Sequence, residues 1–591
     1  MLLSPFSERP TVVLGPSYHV PQAPLQQRKG WWSCWVDGLK RAWLSTQVSH
    51  RGQYSVERLL ALAEYTRTTS WVRAVFVCVG TPLPVFVLVL AQESVPLQDP
   101  TRGWRVNYGI WVRGALVSGV VARTIVIQLK HLVGGVAISS RQVGLVAVAV
   151  MAAYTALSVA IAANVFFPIP FMTITMTLPF LVLVICFFRL SVGGRAIHEV
   201  VTRREQLLRF TLFLSAQTFM SVMYPAYQAL FQAASETGYE LFVVGLLPVL
   251  KLLMRNLIAQ CFSRMDDMMP EAVIFTVDFF NAFYIATSMQ NASSTTTVVV
   301  IVAADLLHTA LALQSVHRRT SSLMSQLCEK LGTDGDVPHL PDLLEKSRSL
   351  CRHCNEFNSN ERAQLQLRSC IPYRLSPENR HLLDRLDKPA GCHLPAKGRL
   401  LCRLKRNSTA DKPTWPCGSR RSNVIHPLVE KNDEQTRTAA EQDAIVNSPR
   451  HAKQLREVLE ILFTSECLVL SEYLEAFVPI LYANYVVAMV RLPSAKYHSE
   501  LAGITPENVG DNVQTVVAYA FLEFLSFVVL VIIMKRNTGV RSLHHLAFVL
   551  ETHMPLIQDK LMAWVLLTLG SRVVHFGVDF TFRFAWLATK A

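Results

Sequence analysis

The chain has 591 residues, 51% of them hydrophobic, and a mean hydropathy of +0.29. Only 17% are charged, against roughly 25% in a soluble domain, which argues against a water-soluble globular protein. The net charge of +14 does not signal nucleic acid, because the basic residues form no single patch; they flank apolar runs, as cytosolic loops do.

Residues 1–70 read as a Pro-rich, aperiodic tail followed by amphipathic helices. No cleavable signal peptide is evident, so the first span would serve as an uncleaved anchor. Trp32, Trp35, Val36, Leu39 and Trp43 share one helical face beside Lys40 and Arg41, a pattern for the headgroup region or for packing on the cytosolic side. Ser55 is placed to cap a helix starting at Val56.

Residues 71–316 hold about eight apolar runs of spanning length. They are Val72 to Ala91 (broken by Pro82 and Pro84), Tyr108 to Leu129, Val143 to Phe167, Phe171 to Phe188, Phe210 to Phe231, Leu241 to Phe262, Val273 to Met289 and Thr297 to Leu313. Residues 317–453 are hydrophilic, basic and rich in Pro and Ser, and read as a mostly disordered cytosolic linker. Residues 454–591 hold about three more spans: Leu474 to Val490, Val513 to Met534, and Leu561 to about Phe580. A mixed helix, Val540 to Met554, is expected to lie at the interface. The fold class is thus all-α: a polytopic transmembrane helix bundle of about 11 spans, in two parts separated by the linker.

Orientation follows from the loops. Lys130, Arg141, Arg203, Arg204, Arg209, Arg264, Arg318, Arg319, Lys535 and Arg536 all fall on one side. A cytosolic N-terminus makes that side the inner one. The sequon at Asn291 then lies in an outer loop and is expected to be glycosylated, while that at Asn407 stays bare. None of the 12 cysteines falls in an outer loop, consistent with reduced thiols.

Polar residues inside the spans need a reason, because a charge at mid-bilayer costs at least roughly 2.5–3.5 kcal/mol without a partner or water. Lys251, Asp305 and Glu523 fall near the middle of their spans, Asp278 lies closer to the cytosolic end, and Arg113 lies in the second span. Arg572, His575 and Asp579 follow at spacings of three and four, a polar stripe if the helix continues. These residues form either a polar pathway for an ion or small polar solute, or buried pairs fixing helix neighbours. The pairs expected are Lys251 with Asp278 or Asp305, and Arg572 with Glu523.

Cys351 and Cys354 form one CxxC, but a structural zinc site needs a second well-spaced pair, so no metal is expected. HHLAFVLETH (His544 to His553) is not the HExxH of a metalloprotease, and no nucleotide or cofactor fingerprint is present. An enzyme therefore has least support. A transporter or channel is favoured; the alternative is a non-transporting scaffold or receptor whose linker recruits cytosolic partners.

The phrases VRAVFVCVGTPLPVFVLVLAQESVPLQDP, LPSAKYHSELAGITPENVG and RVVHFGVDFTF resemble a group of multi-pass membrane proteins found in oomycetes. That resemblance covers both membrane regions and implies the two-part layout and a eukaryotic setting; it carries no activity.

Overall fold

A computed structural model describes residues 52–134, 138–235, 237, 239–262, 265–292, 294–329, 343–352, 365–387 and 439–578. The tryptophan-rich helix, Cys354, Asn407 and Asp579 lie outside the described residues. Among those described there is no β-strand, only a lone antiparallel bridge between His498 and Val573.

Seven stretches are long and apolar enough to cross a bilayer. They are Trp71–Glu93, Tyr108–Leu132 (α4), Ser140–Asn164 (α5), Glu240–Cys261 (α8), Asp266–Gln290 (α9), Thr295–Ser321 in a longer helix Thr295–Glu329 (α10), and Val509–Arg536 in a longer helix Val509–Thr538 (α14). Large apolar side chains stand outward from them and their neighbours: Phe76, Leu190 and Phe242 are each at least 75% exposed. Water would reject such a surface; lipid accepts it. The protein is an integral, multi-pass helical membrane protein.

The expected count of about 11 is not reached on length and apolarity. Thr177–Val192 (α6) has only 16 residues. Arg204–Ser235 (α7) carries buried Gln217 and Gln228, and Ala439–Met489 (α13) carries buried Glu466, Glu472 and Glu475. These polar groups face protein rather than lipid, which lowers hydropathy without putting the helix in water.

The first span is two helices, Trp71–Gly80 (α2) and Leu83–Glu93 (α3), broken at Thr81 and Pro82 as the prolines predict. Ser55 caps Val56–Thr68 (α1) by accepting from the Arg58 N–H at 3.1 Å, and Ser70 caps α2 in the same way.

The helix expected at the interface, Val540 to Met554, is corrected. Ser542–Thr552 (α15) is buried at Ser542 and from His544 to Leu550, and Met554–Gly570 (α16) continues it past Pro555. The pair runs beside α2–α3 in the same direction. His544 Nε2 lies 3.2 Å from Thr69 O, Gln558 donates to Thr81 O at 3.2 Å, and His575 Nε2 lies 2.6 Å from Gln98 O. Two broken helices therefore pack break beside break. α16, the last α-helix among the described residues, ends at Gly570, ahead of the expected Phe580.

α9 is buried along its whole apolar window. Every residue from Asp267 to Met289 is buried, and a helix apolar all round is buried all round. α7, α8, α13, α14 and α16 surround it. Helices from both sequence halves thus share one core, and the linker divides the sequence rather than the body.

α10 runs into the hydrophilic stretch as far as Glu329 and α13 begins within it at Ala439, and two described pieces between them pack on the body. Leu343–Arg352 (α11) packs on α1 and α13. The 365–387 segment, ending in Pro377–Leu386 (α12), docks on α1. There Val56 N–H donates to Gln366 O at 2.9 Å, and Glu64 accepts from Ser376 N–H and Asn379 at 3.0 and 2.9 Å.

Candidate functional site

At Ile274–Asp278 the central helix α9 widens into a π turn, a local irregularity found often at functional sites. Its last residue, Asp278, is fully buried. Arg255 of α8 binds it with two nitrogens, Nε at 2.7 Å and Nη2 at 2.5 Å, and Ser471 of α13 donates to it at 2.7 Å. Lys251, one turn before Arg255, lies 2.6 Å from Glu475 of α13. The expected pairing of Lys251 with Asp278 or Asp305 is therefore corrected: Arg255 takes Asp278, and Lys251 takes a glutamate placed just inside the start of α13's apolar end.

Three carboxylates meet beside that pair. Asp305 of α10, Glu475 of α13 and Glu523 of α14 bring oxygens within 4.8 Å of one another. Tyr519, one turn before Glu523, donates to Asp305 at 3.4 Å. Glu523 is 2% exposed, and its Oε1 is buried with no hydrogen-bond partner. Glu472, on the same face of α13, accepts from Thr309 at 2.6 Å and from Ser526 at 3.1 Å. Five carboxyl groups thus face two cations, Lys251 and Arg255. Fully ionised, the cluster would hold a surplus of negative charge that a low-dielectric interior does not tolerate without protons or a bound cation.

A cavity of about 60 Å³ reaches this cluster. His308, Cys467, Glu472 and Glu475 line it, and it extends past Thr464 and Val316 toward the end of the bundle where α1 sits. Its walls are more apolar than polar, with the acids and His308 set among them, and it has room for a few waters.

The other expected residues are held in separate pairs. Arg113 of α4 binds Glu93 and donates to Val95 O at 2.6 Å; His498 Nε2 completes the group, 3.2 Å from Glu93. Arg572 does not meet Glu523. It pairs with Glu500, donates to Thr287 at 2.9 Å, and lies 4.7 Å from the Phe283 ring centre and 5.7 Å from that of Tyr482. The stripe Arg572, His575, Asp579 is likewise corrected, since the chain has left the helix at Gly570 and turns at Gly577 (φ 64°). His575 sits outside the spans, hydrogen-bonded to Gln98 O and Asn107. Burial pushes its imidazole down to about 4, against the pull of the Gln98 carbonyl.

At the opposite end, Arg58 binds both oxygens of Glu466 at 2.7 and 2.8 Å, and Lys560 binds Glu271 at 2.7 Å, all four side chains buried. Asn291 is half-buried at the end of α9, and its Nδ2, the atom that would bear a sugar, is enclosed. A glycan there would require that turn to open. Cys351 is buried in α11, and its expected partner Cys354 is outside the described residues.

Sequence reasoning missed Arg255, Glu472 and Glu475. Signals existed: Arg255 follows Lys251 by one turn, and Glu472 and Glu475 interrupt an apolar run on one face.

Compared with known proteins, the chain matches no family model, no curated protein and no solved structure. The fold and cluster define its class: a multi-pass helical membrane protein with a surplus of buried acid in its interior.

Proposed function

We propose that the protein moves a cation across its membrane, the proton being the simplest case, through the acid cluster between α8, α10, α13 and α14. The observation that carries this reading is Glu523: a buried carboxyl with an unpartnered oxygen, set among Asp305 and Glu475 where the local cations are already taken. Intramembrane acids with surplus charge line ion and proton routes. The cavity running from Glu475 past Thr464 supplies an approach from one end. The positive-inside bias makes that end, with α1, α11 and α12, the cytosolic one.

Purified protein in vesicles tests this directly. With a pH gradient and a potential clamp, Glu523→Gln abolishes flux or shifts its pH dependence. Flux unchanged at every pH removes Glu523 from the route.

A second reading is a non-transporting scaffold. Its support is that the charges at both ends of the bundle are closely paired and that 365–387 docks on α1, displaying a built surface. Wild-type vesicles that pass no proton, sodium, potassium or calcium under any gradient favour it.

Sidedness has its own test. Gly103→Cys, between α3 and α4, reacts with an impermeant maleimide on intact cells, and Gly193→Cys, after α6, only after permeabilisation. The reverse result inverts the orientation.

A further inference from the structure

We infer that a second site, independent of the acid cluster, holds an uncharged acylglycerol drawn from the bilayer. An elongated slot of about 420 Å³ lies among α4, α6, α7 and α16, within the size range of ligand pockets. Along α4 it extends from Gly114 to Gln128, roughly 21 Å at the helical rise. Its mouth is bordered by outward apolar residues such as Leu178, 72% exposed, so it opens on lipid rather than water.

The lining carries no charged side chain, and its polar groups divide into two kinds. The hydroxyls of Ser118, Thr218 and Ser221 are returned to carbonyls of their own helices at 2.8–3.0 Å. Gln128, Gln217 and Trp564 are not so satisfied. They are 1%, 3% and 5% exposed, yet Gln128 Nε2 and Oε1, Gln217 Nε2 and Trp564 Nε1 have no partner. Buried amides and indoles are ordinarily hydrogen-bonded, and each one left alone needs an explanation. Three donors and one acceptor carried by residues in the wall of an uncharged slot are what a ligand rich in ester and hydroxyl oxygens would satisfy. A single sterol hydroxyl is too few for them. A phosphate or carboxylate headgroup would find no cation. The ester carbonyl and free hydroxyls of an acylglycerol match, with the chain along the apolar walls.

Gly114 provides a clean lever. It is buried and lines the slot, but a Cβ built on it meets no atom within 4 Å. Gly114→Leu therefore projects into the slot from a Cβ that touches nothing.

The experiment uses the full chain in phosphatidylcholine nanodiscs with a photoactivatable monoacylglycerol, and maps labelled peptides by mass spectrometry. Saturable labelling of the Gln128 and Trp564 peptides is expected, competed by unlabelled monoacylglycerol. Gly114→Leu and Gln128→Leu should each reduce it about five- to tenfold, the worth of one hydrogen bond or more. Trp564→Phe, which keeps a ring against Phe280 (centroids 5.1 Å apart), should reduce it while leaving the thermal transition in place. Equal labelling by a photoactivatable sterol or an anionic lysolipid overturns the proposal, as does labelling indifferent to all three variants. Labelling seen only in a chain ended after Val578 overturns it too, because the segment beyond would then be the occupant.

Discussion

The Lys251 ammonium stands 2.6 Å from a carboxylate oxygen of Glu475, and that same carboxylate lies within 4.8 Å of Asp305 and Glu523. One cation is thus shared by a triad of acids. Replacing it by Lys251→Met leaves Glu475 buried beside like charges, and removing one partner of a buried pair costs about 3–5 kcal/mol. The double variant Lys251→Met with Glu475→Gln removes the orphaned charge and should recover most of that loss. A double-mutant cycle on unfolding in micelles checks it. A loss in the double variant equal to the sum of the two single losses would mean that the pair contributes nothing.

Arg58 and Glu466 make the corresponding test at the α1 end. Tyr54 also donates to Glu466, and the Arg58 guanidinium lies 4.7 Å from the Tyr54 ring centre, so α1 is fastened to α13 through fully buried groups. Arg58→Met should destabilise by about 3–5 kcal/mol and speed proteolysis of the docked 365–387 segment, whose carbonyls cap the start of α1. Digestion time courses against wild type read both effects. Unchanged protection would show that the segment docks without α1.

Much of this architecture is legible in the amino-acid sequence. The apolar runs locate nearly all the helices, the prolines locate the break in the first span, and Asp278, Asp305, Lys251 and Glu523 do gather at one place. Hydropathy fails where polar side chains face protein. It starts the ninth run at Leu474, so it leaves out Glu472 and gives Glu475 no role, although α13 buries both. Helical spacing fails where the helix stops. Arg572 and His575 look like a stripe facing Glu523, but Gly570 ends the helix and they serve the end loops instead. The π turn that ends at Asp278 leaves no mark in the periodicity.

His575 gives a pH dependence with a definite sign. Its folded imidazole titrates near 4 and its unfolded one near 6.5, so the unfolded chain binds more protons between those values. The stability it contributes is fully present above about pH 6.5 and is lost as pH falls toward 4, on the order of 3 kcal/mol in all. Arg113 and His498 oppose its protonation, and Asp99 favours it. His575→Gln should flatten the fall in melting temperature between pH 6.5 and 4. A slope identical to wild type would assign that fall to other groups.

Gly577 closes the turn that follows. Its φ is +64°, its carbonyl accepts the Phe171 N–H at 2.8 Å, and a Cβ there would run into the Ile169 carbonyl. Gly103 also has a positive φ, +83°, but a Cβ there meets nothing within 4 Å. The two glycines separate conformational strain from steric collision. Gly103→Ala should cost about 1–3 kcal/mol, the backbone penalty alone, since at ψ 172° it lies in a region essentially reserved for glycine. Gly577→Ala adds a backbone collision that cannot relax by a rotamer change, so it should cost more and should loosen the turn around Phe171. Thermal unfolding in the same micelle compares them. Equal losses would mean that the loop carrying Ile169 yields freely, and that the Phe171–Gly577 hydrogen bond does not fix the end of α16 against the turn before α6.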